Sequence, residues 1–225
     1  MINMKKMITA LLVLGILLSA VSCGRNKDKN LDSTSSSMGG ETFEGVSAKS
    51  FLHSVYGTFL EGMAPVYGVG SAEEVKGYFG GPETETVTER DPDTGEEYSY
   101  ALPKNEPGDL PVSEGENLES QALFPAASAE KLDSAAVFFN MMNQNNGTFA
   151  AFEVKNESDL QALADMMKNK VKNNQWICGF PERYLIMRVG DIMIFSYGLN
   201  DVLSVWKNAV SSVYSGAAIL YDEML

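Results

Sequence analysis

The sequence YLIMRVGDIMIFSY, residues 184–197, decides the fold of this chain. It contains two apolar runs separated by Gly190-Asp191, a pair that favours a tight turn between antiparallel strands. Within each run both alternating sets of side chains are rich in apolar residues, as with Leu185 and Ile186. A strand with this pattern is buried on both of its faces. The stretch therefore predicts a central β-hairpin that needs a covering layer on each side.

A second predicted hairpin precedes this one in the chain. Residues 135–142 and 148–154 are apolar runs of strand length on either side of Asn145-Asn146-Gly147. The Asn-Gly pair supplies the positive φ angles that a tight hairpin turn requires. A helix at 160–171 and a final helix after Asn200 carry apolar residues at helical intervals.

The resulting order, ββαββα, predicts an α+β fold: an antiparallel four-stranded sheet with two helices on one face, a permuted form of the ferredoxin-like layout. Residues 217–221 are assigned to a helix or tail, because a last strand there would compete for the edge that 135–142 occupies. The other face of the sheet would then be covered by an N-terminal helix at 47–63, or else by a partner protein or a second copy of the chain.

Two further segments precede this domain. The helical segment, residues 47–81, begins behind Ser47 and continues with a short helix behind Ser71. The segment 82–120 holds twelve acidic residues against Arg90 and Lys104, and is interpreted as an insertion. Its first part predicts a solvated hairpin, with strands at 84–90 and 96–102 joined by a turn rich in Asp, Pro and Gly.

The N-terminus has the features of an export signal. Lys5 and Lys6 precede an unbroken apolar run at 7–18, and small residues lead up to Cys23. The run is shorter than the roughly 20 apolar residues that a membrane-spanning helix needs. The pattern resembles a bacterial lipoprotein signal peptide, in which Cys23 becomes the acylated first residue of the mature chain; secretion without a lipid is the alternative. A tether rich in Ser and Gly, residues 23–46, would follow.

Charge and cysteine content exclude several classes of function. The chain of 225 residues has a net charge of −13, and because residues 1–22 contain two lysines and no acidic residue, the remainder carries −15. Nucleic acid is therefore excluded as a partner, since it binds proteins that neutralise its phosphates. With Cys23 acylated, Cys178 has no intramolecular partner, so no disulfide framework is expected and Cys178 is predicted to be a buried, inert thiol.

The span 148–210 resembles small lipoproteins of Gram-positive bacteria that carry the DUF4358 domain, a domain of unknown function. The resemblance is based on residues 150–154 before a capped helix, Phe180-Pro181-Glu182 before a strand, and the turn at Val189-Gly190-Asp191. It implies a surface lipoprotein and supplies no catalytic residue.

Few residues suggest a chemical site. The hairpin turn offers carboxylates as candidate calcium ligands, although Pro92 interrupts the loop pattern that calcium sites use, and a solvated hairpin tip is the simpler interpretation. These candidate ligands are Asp91, Asp93, Glu96 and Glu97. The single histidine, His53, lies on a predicted helix and suits a surface or packing role. Ser128 and Lys131 match an S-x-x-K pattern, but the companion motifs of that enzyme class are missing.

These observations predict a lipoprotein anchored to the membrane on the extracytoplasmic face, without a cofactor. Its C-terminal α+β domain, residues 121–225, would be a noncatalytic interaction or binding module with an envelope protein or a homodimer as its partner at the sheet face. A small extracytoplasmic enzyme acting on cell-wall material and a structural envelope spacer are the alternatives. A binding module would leave apolar residues exposed, whereas an enzyme would have a pocket with convergent polar groups.

Overall fold

The computed structural model describes residues 45–225. The predicted signal peptide, Cys23 and nearly all of the predicted tether lie outside the described residues. The helices are α1 (Ala48–Tyr67), α2 (Ala72–Lys76), α3 (Gly115–Ala122), α4 (Leu160–Asn173) and α5 (Asn200–Val213). The strands are β1 (Phe79–Gly80), β2 (Thr84–Arg90), β3 (Glu97–Pro103), β4 (Gly108–Asp109), β5 (Leu132–Asn140), β6 (Gly147–Val154), β7 (Arg183–Val189), β8 (Ile192–Gly198) and β9 (Ala218–Met224).

The fold is mixed α+β and its strand pairs are antiparallel, as predicted, but the main sheet has seven strands where four were expected. Its order is β1-β5-β6-β8-β7-β9, and β4 also pairs with β5. The short strands β1 and β4 together cover the outer edge of β5, through pairs such as Phe79 with Asn140 and Gly108 with Val137. The other end of the sheet is β9, which pairs with β7.

The helical connections explain why the predicted ferredoxin-like arrangement is wrong. Helix α4 carries the chain from β6 past β8 to β7, and α5 carries it from β8 past β7 to β9. Both connections move across the sheet toward the β9 edge, and both are taken to be right-handed. Because they start from the antiparallel strands β6 and β8, right-handedness places their helices on opposite faces of the sheet. In a ferredoxin-like sheet the two connections run in opposite directions, which brings both helices to one face. Here α4 and α5 contribute to separate cores, one on each face.

The last strand is a second correction. Residues 217–221 were assigned to a helix or tail, yet β9 forms along the free edge of β7. The expected competition does not arise because β7 and β5 lie near opposite edges of the sheet. An irregularity in the pairing between Ile186 and Met187 accommodates one extra residue in β9.

One face of the sheet is covered jointly by α1 and α5. Helix α1 begins after Ser47, whose hydroxyl accepts the N–H of Ser50 as an N-cap. Near its middle, a Cβ added to Gly62 would lie 2.6 Å from a methyl carbon of Val205 in α5, so the two helices approach closely at this glycine. The helix predicted at 47–63 therefore covers the sheet, but it shares its face with α5.

The other face is covered by α4 and by the segment between β4 and β5. Leu110, Leu118 and Phe124 from that segment are buried against the apolar side of α4 and the sheet. The predicted insertion 82–120 is thus only partly separate, since β4 joins the main sheet and α3 joins this core. Among residues 45–225 neither sheet face is left open, so a partner or a second copy at a sheet face, as expected from the sequence, has no surface there.

Two of the three predicted hairpin turns differ in outcome. Strands β2 and β3 pair as a separate two-stranded sheet, with Arg90 opposite Glu97, as the composition predicts. The prediction of a tight Asn-Gly turn between β5 and β6 is wrong. A short 3-10 segment, Gln144–Asn146, follows Asn143, and Gly147 has an extended backbone at φ 177°. Asn side chains organise this loop, as described below.

The core beneath α1 is an aromatic cluster centred on Phe59. Its ring lies 5.1 Å from that of Phe79, 4.9 Å from that of Phe149 and 5.6 Å from that of Trp206, between centroids. Phe59 therefore links α1 to the sheet and to α5 at one point. Aromatic pairs of this kind stabilise by about 1 kcal/mol each beyond the area they bury.

We expect Phe59→Ala to lower the free energy of unfolding by about 3–5 kcal/mol, because it removes a fully buried ring and leaves a cavity. Urea unfolding followed by circular dichroism measures this change. Phe180→Ala, at an exposed position, is the matched control and should alter the midpoint little. Equal effects of the two substitutions would contradict the assignment of α1 to the core.

Candidate functional site

Exposed apolar side chains gather where β5, β7 and β9 meet their loops. We call this surface the apolar end and define it by Met142, Ile177, Phe180, Met224 and Leu225. The first four side chains are 81, 78, 76 and 61% exposed, respectively. Large apolar residues at these fractions, on neighbouring segments, are the pattern expected of an interaction surface.

The loop that carries Ile177 and Phe180 is held in place by two asparagines of the β5–β6 loop. The side-chain amide of Asn143 donates to the carbonyl of Cys178 at 2.8 Å. That of Asn145 donates to the carbonyls of Ile177 and Gly179 at 2.9 and 3.0 Å. Three consecutive carbonyls are thus fixed by side chains from another loop, so the exposed apolar residues lie on a preorganised backbone.

Asn140, at the end of β5, anchors this arrangement in turn. Its side-chain oxygen, Oδ1, accepts the backbone N–H groups of Met142 and Asn143, both at 3.0 Å, and its side-chain nitrogen, Nδ2, donates to the Tyr67 hydroxyl at 2.9 Å. The side chain of Asn140 is buried, and hydrogen bonds of this kind organise the turn that follows. The Asn-rich spacing was visible in the sequence, but it was interpreted as a tight turn.

Cys178 is exposed, so the prediction of a buried thiol is wrong. Its backbone has φ 65°, and that of Gly179 has φ 124°. These left-handed conformations turn the carbonyls of the loop toward Asn143 and Asn145 and turn the neighbouring side chains outward. The apolar neighbours Trp176, Ile177 and Phe180 suggested burial, but they are the residues of the exposed loop itself.

Two cavities adjoin the apolar end, and Trp176 lines both. The larger, about 630 Å³, has mostly apolar walls. It is lined by Lys172, Asn174, Trp176, Phe180, Pro181, Met224 and Leu225. The smaller, about 340 Å³, lies toward α3 and includes Gln144 and Tyr197. The Trp176 ring packs against that of Tyr197 with 5.0 Å between centroids.

Strand β9 reaches the apolar end and is held to the body by two adjacent acidic residues. Arg183 donates to Asp222 through two nitrogens, at 2.6 and 2.7 Å, and Lys207 donates at 3.0 Å. Lys168 and Lys172 donate to Glu223 at 2.5 and 2.6 Å. Because successive side chains of a strand point to opposite faces, Asp222 binds on the α5 side and Glu223 on the α4 side.

These contacts lower the pKa of both carboxyl groups. Hydrogen bonds from Lys168 and then Lys172 lower the pKa of Glu223 from 4.5 to about 2. Burial opposes the shift at Asp222, but the hydrogen bonds from Arg183 and Lys207 outweigh it, so the pKa of Asp222 is also lowered. Both groups are therefore ionised at neutral pH and hold β9 through charge.

A polar cavity of about 460 Å³ lies elsewhere, at the base of the β2–β3 hairpin. Its lining includes Glu73, Lys76, Glu85, Lys104 and Glu106. Nearby, Glu83 binds Lys49 and accepts a hydrogen bond from Lys104 at 3.0 Å, and these contacts lower its pKa to about 2. The walls of this cavity are mostly polar.

The residues singled out as calcium ligands lie at the hairpin tip. Asp91 accepts the N–H groups of Asp93 and Thr94, both at 2.8 Å, so its carboxylate closes the turn. Glu96 and Glu97 continue toward β3 on the exposed surface. In the region from 45 to 225, no group of three or more His, Cys, Asp or Glu side chains is arranged to hold a metal ion.

The other sequence candidates are separated by the fold. His53 is exposed on α1. Ser128 is buried beside Met166, whereas Lys131 turns away and binds Asp159 at 2.7 Å, so this serine and lysine do not form the pair that the S-x-x-K pattern requires. Of the helices that the structure describes, none has the length and apolar character to cross a membrane.

Acidification should weaken the attachment of β9. A carboxyl group whose pKa is lowered by folding contributes stability that is present above its unfolded value, here 4.5, and is lost as the pH falls toward its folded value, about 2. Glu223→Gln should therefore lower the urea midpoint at pH 7, and the difference from wild type should shrink below pH 4.5. The exposed Glu130→Gln serves as control; a difference independent of pH would contradict this account.

Comparison with family models, with curated proteins and with solved structures gives no match to this chain.

Proposed function

We propose that this chain is a lipoprotein, anchored through Cys23 on the extracytoplasmic face of the cell membrane, whose folded part binds an envelope protein without catalysing a reaction. The leader at 1–22 and the small residues before Cys23 support the anchor. The resemblance to lipoproteins with the DUF4358 domain supports the same compartment.

The preorganised apolar end supports the binding role. Exposing Ile177 and Phe180 to water is unfavourable, and the chain fixes their loop through the amides of Asn143 and Asn145. A purely structural spacer has no use for such a surface. A binding module gains from it, because a loop already held in its bound conformation loses little entropy on association.

The polar cavity at the hairpin base favours a second candidate, a small extracytoplasmic enzyme acting on cell-wall material. Carboxylates of Glu73, Glu85 and Glu106 line that cavity and could supply acid and base groups. Turnover of purified cell wall that is abolished by Glu106→Gln would establish this alternative over the binding role.

The anchor has a direct test. Cys23→Ser removes the only thiol at the proposed cleavage site, so we expect the variant to be released into the medium or to remain unprocessed in the cell. Metabolic labelling with an alkyne fatty acid should mark the wild-type chain and not the variant. Cys178→Ser is the matched control and should retain the label; lipid labelling of the Cys23→Ser chain would show that the anchor is misassigned.

The binding surface can be tested through the exposed thiol of Cys178. A photoreactive maleimide attached there on intact cells should give a defined protein adduct after irradiation. In the comparison chain, Cys178→Ser is combined with Ser99→Cys, which moves the probe to the exposed acidic hairpin. If adducts form from the probe on the hairpin and not from the probe at Cys178, the hairpin is the docking surface. If the labelled chain forms no adduct beyond those of a control that contains only the tether, the proposal of a protein partner loses its support.

A further inference from the structure

We infer that β9 is a docking edge: an extended segment of a partner protein adds beside it as an eighth strand and places an apolar side chain in the cavity between Trp176, Phe180 and Met224. This inference rests on the proposed binding function, because it names the class of partner for the same surface.

The outer edge of β9 has backbone groups available for pairing. The N–H of Leu225 donates to the carbonyl of Glu182, on the β7 side. Because backbone groups alternate between the two sides of a strand, the N–H and C=O of Met224 and Asp222 face away from β7. In the part of the chain that the structure describes, β9 pairs only with β7.

The opposite edge of the sheet is closed by contrast. Strands β1 and β4 together pair with most of β5 from Ala136 to Asn140, and flanking bonds extend the cover to Ala135 and Met141. Covering an edge with very short strands is a common protection against unwanted pairing. The chain applies this protection at β5 and leaves β9 without it.

Strand β9 also lacks the residues that commonly protect an edge strand from pairing. An edge strand is commonly protected by proline or by free charged side chains. Residues 218–224 contain no proline, and the two acidic residues are each bound by two cationic side chains. At the ends of the strand, Ile219 and Met224 are exposed apolar residues.

The cavity of about 630 Å³ adjoins the end of β9. Met224 is the last residue of β9 and also lines the cavity. In strand addition, main-chain hydrogen bonds supply affinity and pockets for alternate side chains supply specificity. Here both elements occur together, since the edge lies next to a pocket with mostly apolar walls.

The charge of the chain argues for a partner protein rather than a second copy. Two mature chains that each carry −15 repel one another, whereas a segment with basic residues is attracted. Apolar residues alternating with lysine or arginine would therefore suit the pocket and the net negative charge of the chain.

Helix α1 begins near the end of β5 that lies away from the apolar end. The N–H of Ala48 donates to the hydroxyl of Ser134 at the beginning of β5, whereas the apolar end lies beside Asn140 and the loop that follows β5. The six residue steps from Ser134 to Asn140 separate these points by roughly 20 Å.

Peptide selection tests the inference. The residues that build both cores lie between 46 and 221, so the lipid-free chain of residues 24–225 retains both cores. It is used to select from a phage-displayed library of random peptides of about eight residues, enough to span β9. We expect selected peptides to alternate apolar and basic residues and, when bound, to slow hydrogen exchange at the amides of Asp222 and Met224.

Two modifications separate strand addition from ordinary groove binding. Methylation of the peptide N–H groups along one edge should weaken binding about tenfold, because it removes main-chain donors and leaves the side chains intact. Phe180→Ser should also weaken binding about tenfold by removing a wall of the cavity, whereas Leu102→Ser, exposed on the hairpin, should leave it unchanged.

Other outcomes would overturn the inference. These are no enrichment of peptides, binding that survives methylation of each peptide edge in turn, dimerisation of the chain through β9, or Phe180-dependent binding to phosphatidylglycerol vesicles in place of peptides. If peptides fail while Cys178 still forms an adduct on cells, the proposed function stands and strand addition is wrong. If the Cys23→Ser chain is still lipid-labelled, the anchor is wrong and the peptide result is unaffected.

Discussion

The burial of both faces of β6 and β8 is the constraint on which the rest of the structure depends. Phe149 and Ala151 point to one side, and Ala150 and Phe152 to the other, and all four are fully buried. A single layer of helices cannot cover such a sheet. The chain meets this requirement with α4 and the 110–132 segment on one face, and with α5 and α1 on the other. The N-terminal helix is therefore part of the core, and the direction of the two connections follows from the same need.

This scaffold also determines where an apolar surface can remain. With both sheet faces filled, the most exposed large apolar residues of the described chain, Met142, Ile177, Phe180 and Met224, lie in loops and in the last strand. The loops at the ends of β5 and α4 meet there, and Asn140, Asn143 and Asn145 join them into one rigid unit. Binding residues on loops that a rigid body positions are a common arrangement in proteins. The candidate site is thus a consequence of how the core is closed.

Local features of this fold could be predicted from the sequence, and long-range ones could not. The hairpin across Gly190-Asp191, the acidic hairpin and the N-cap at Ser47 depend on neighbouring residues, and each forms as predicted. The face on which α5 lies depends on strand order, which local patterns do not contain. The exposure of Cys178 depends on bonds to Asn143, 35 residues earlier in the chain. Strand β9 was missed for the same reason, because its partner, β7, lies on the far side of α5 in the chain.

The two margins of the sheet differ, and this difference limits stoichiometry. Strands β1 and β4 close the margin at β5, so among residues 45–225 the main sheet has one margin, at β9, that remains free for an edge-to-edge contact. A molecule with one open margin is monovalent for strand pairing: it can end a chain of subunits but cannot continue one. Fibre growth through this sheet is therefore blocked by topology, even at a high concentration of the protein.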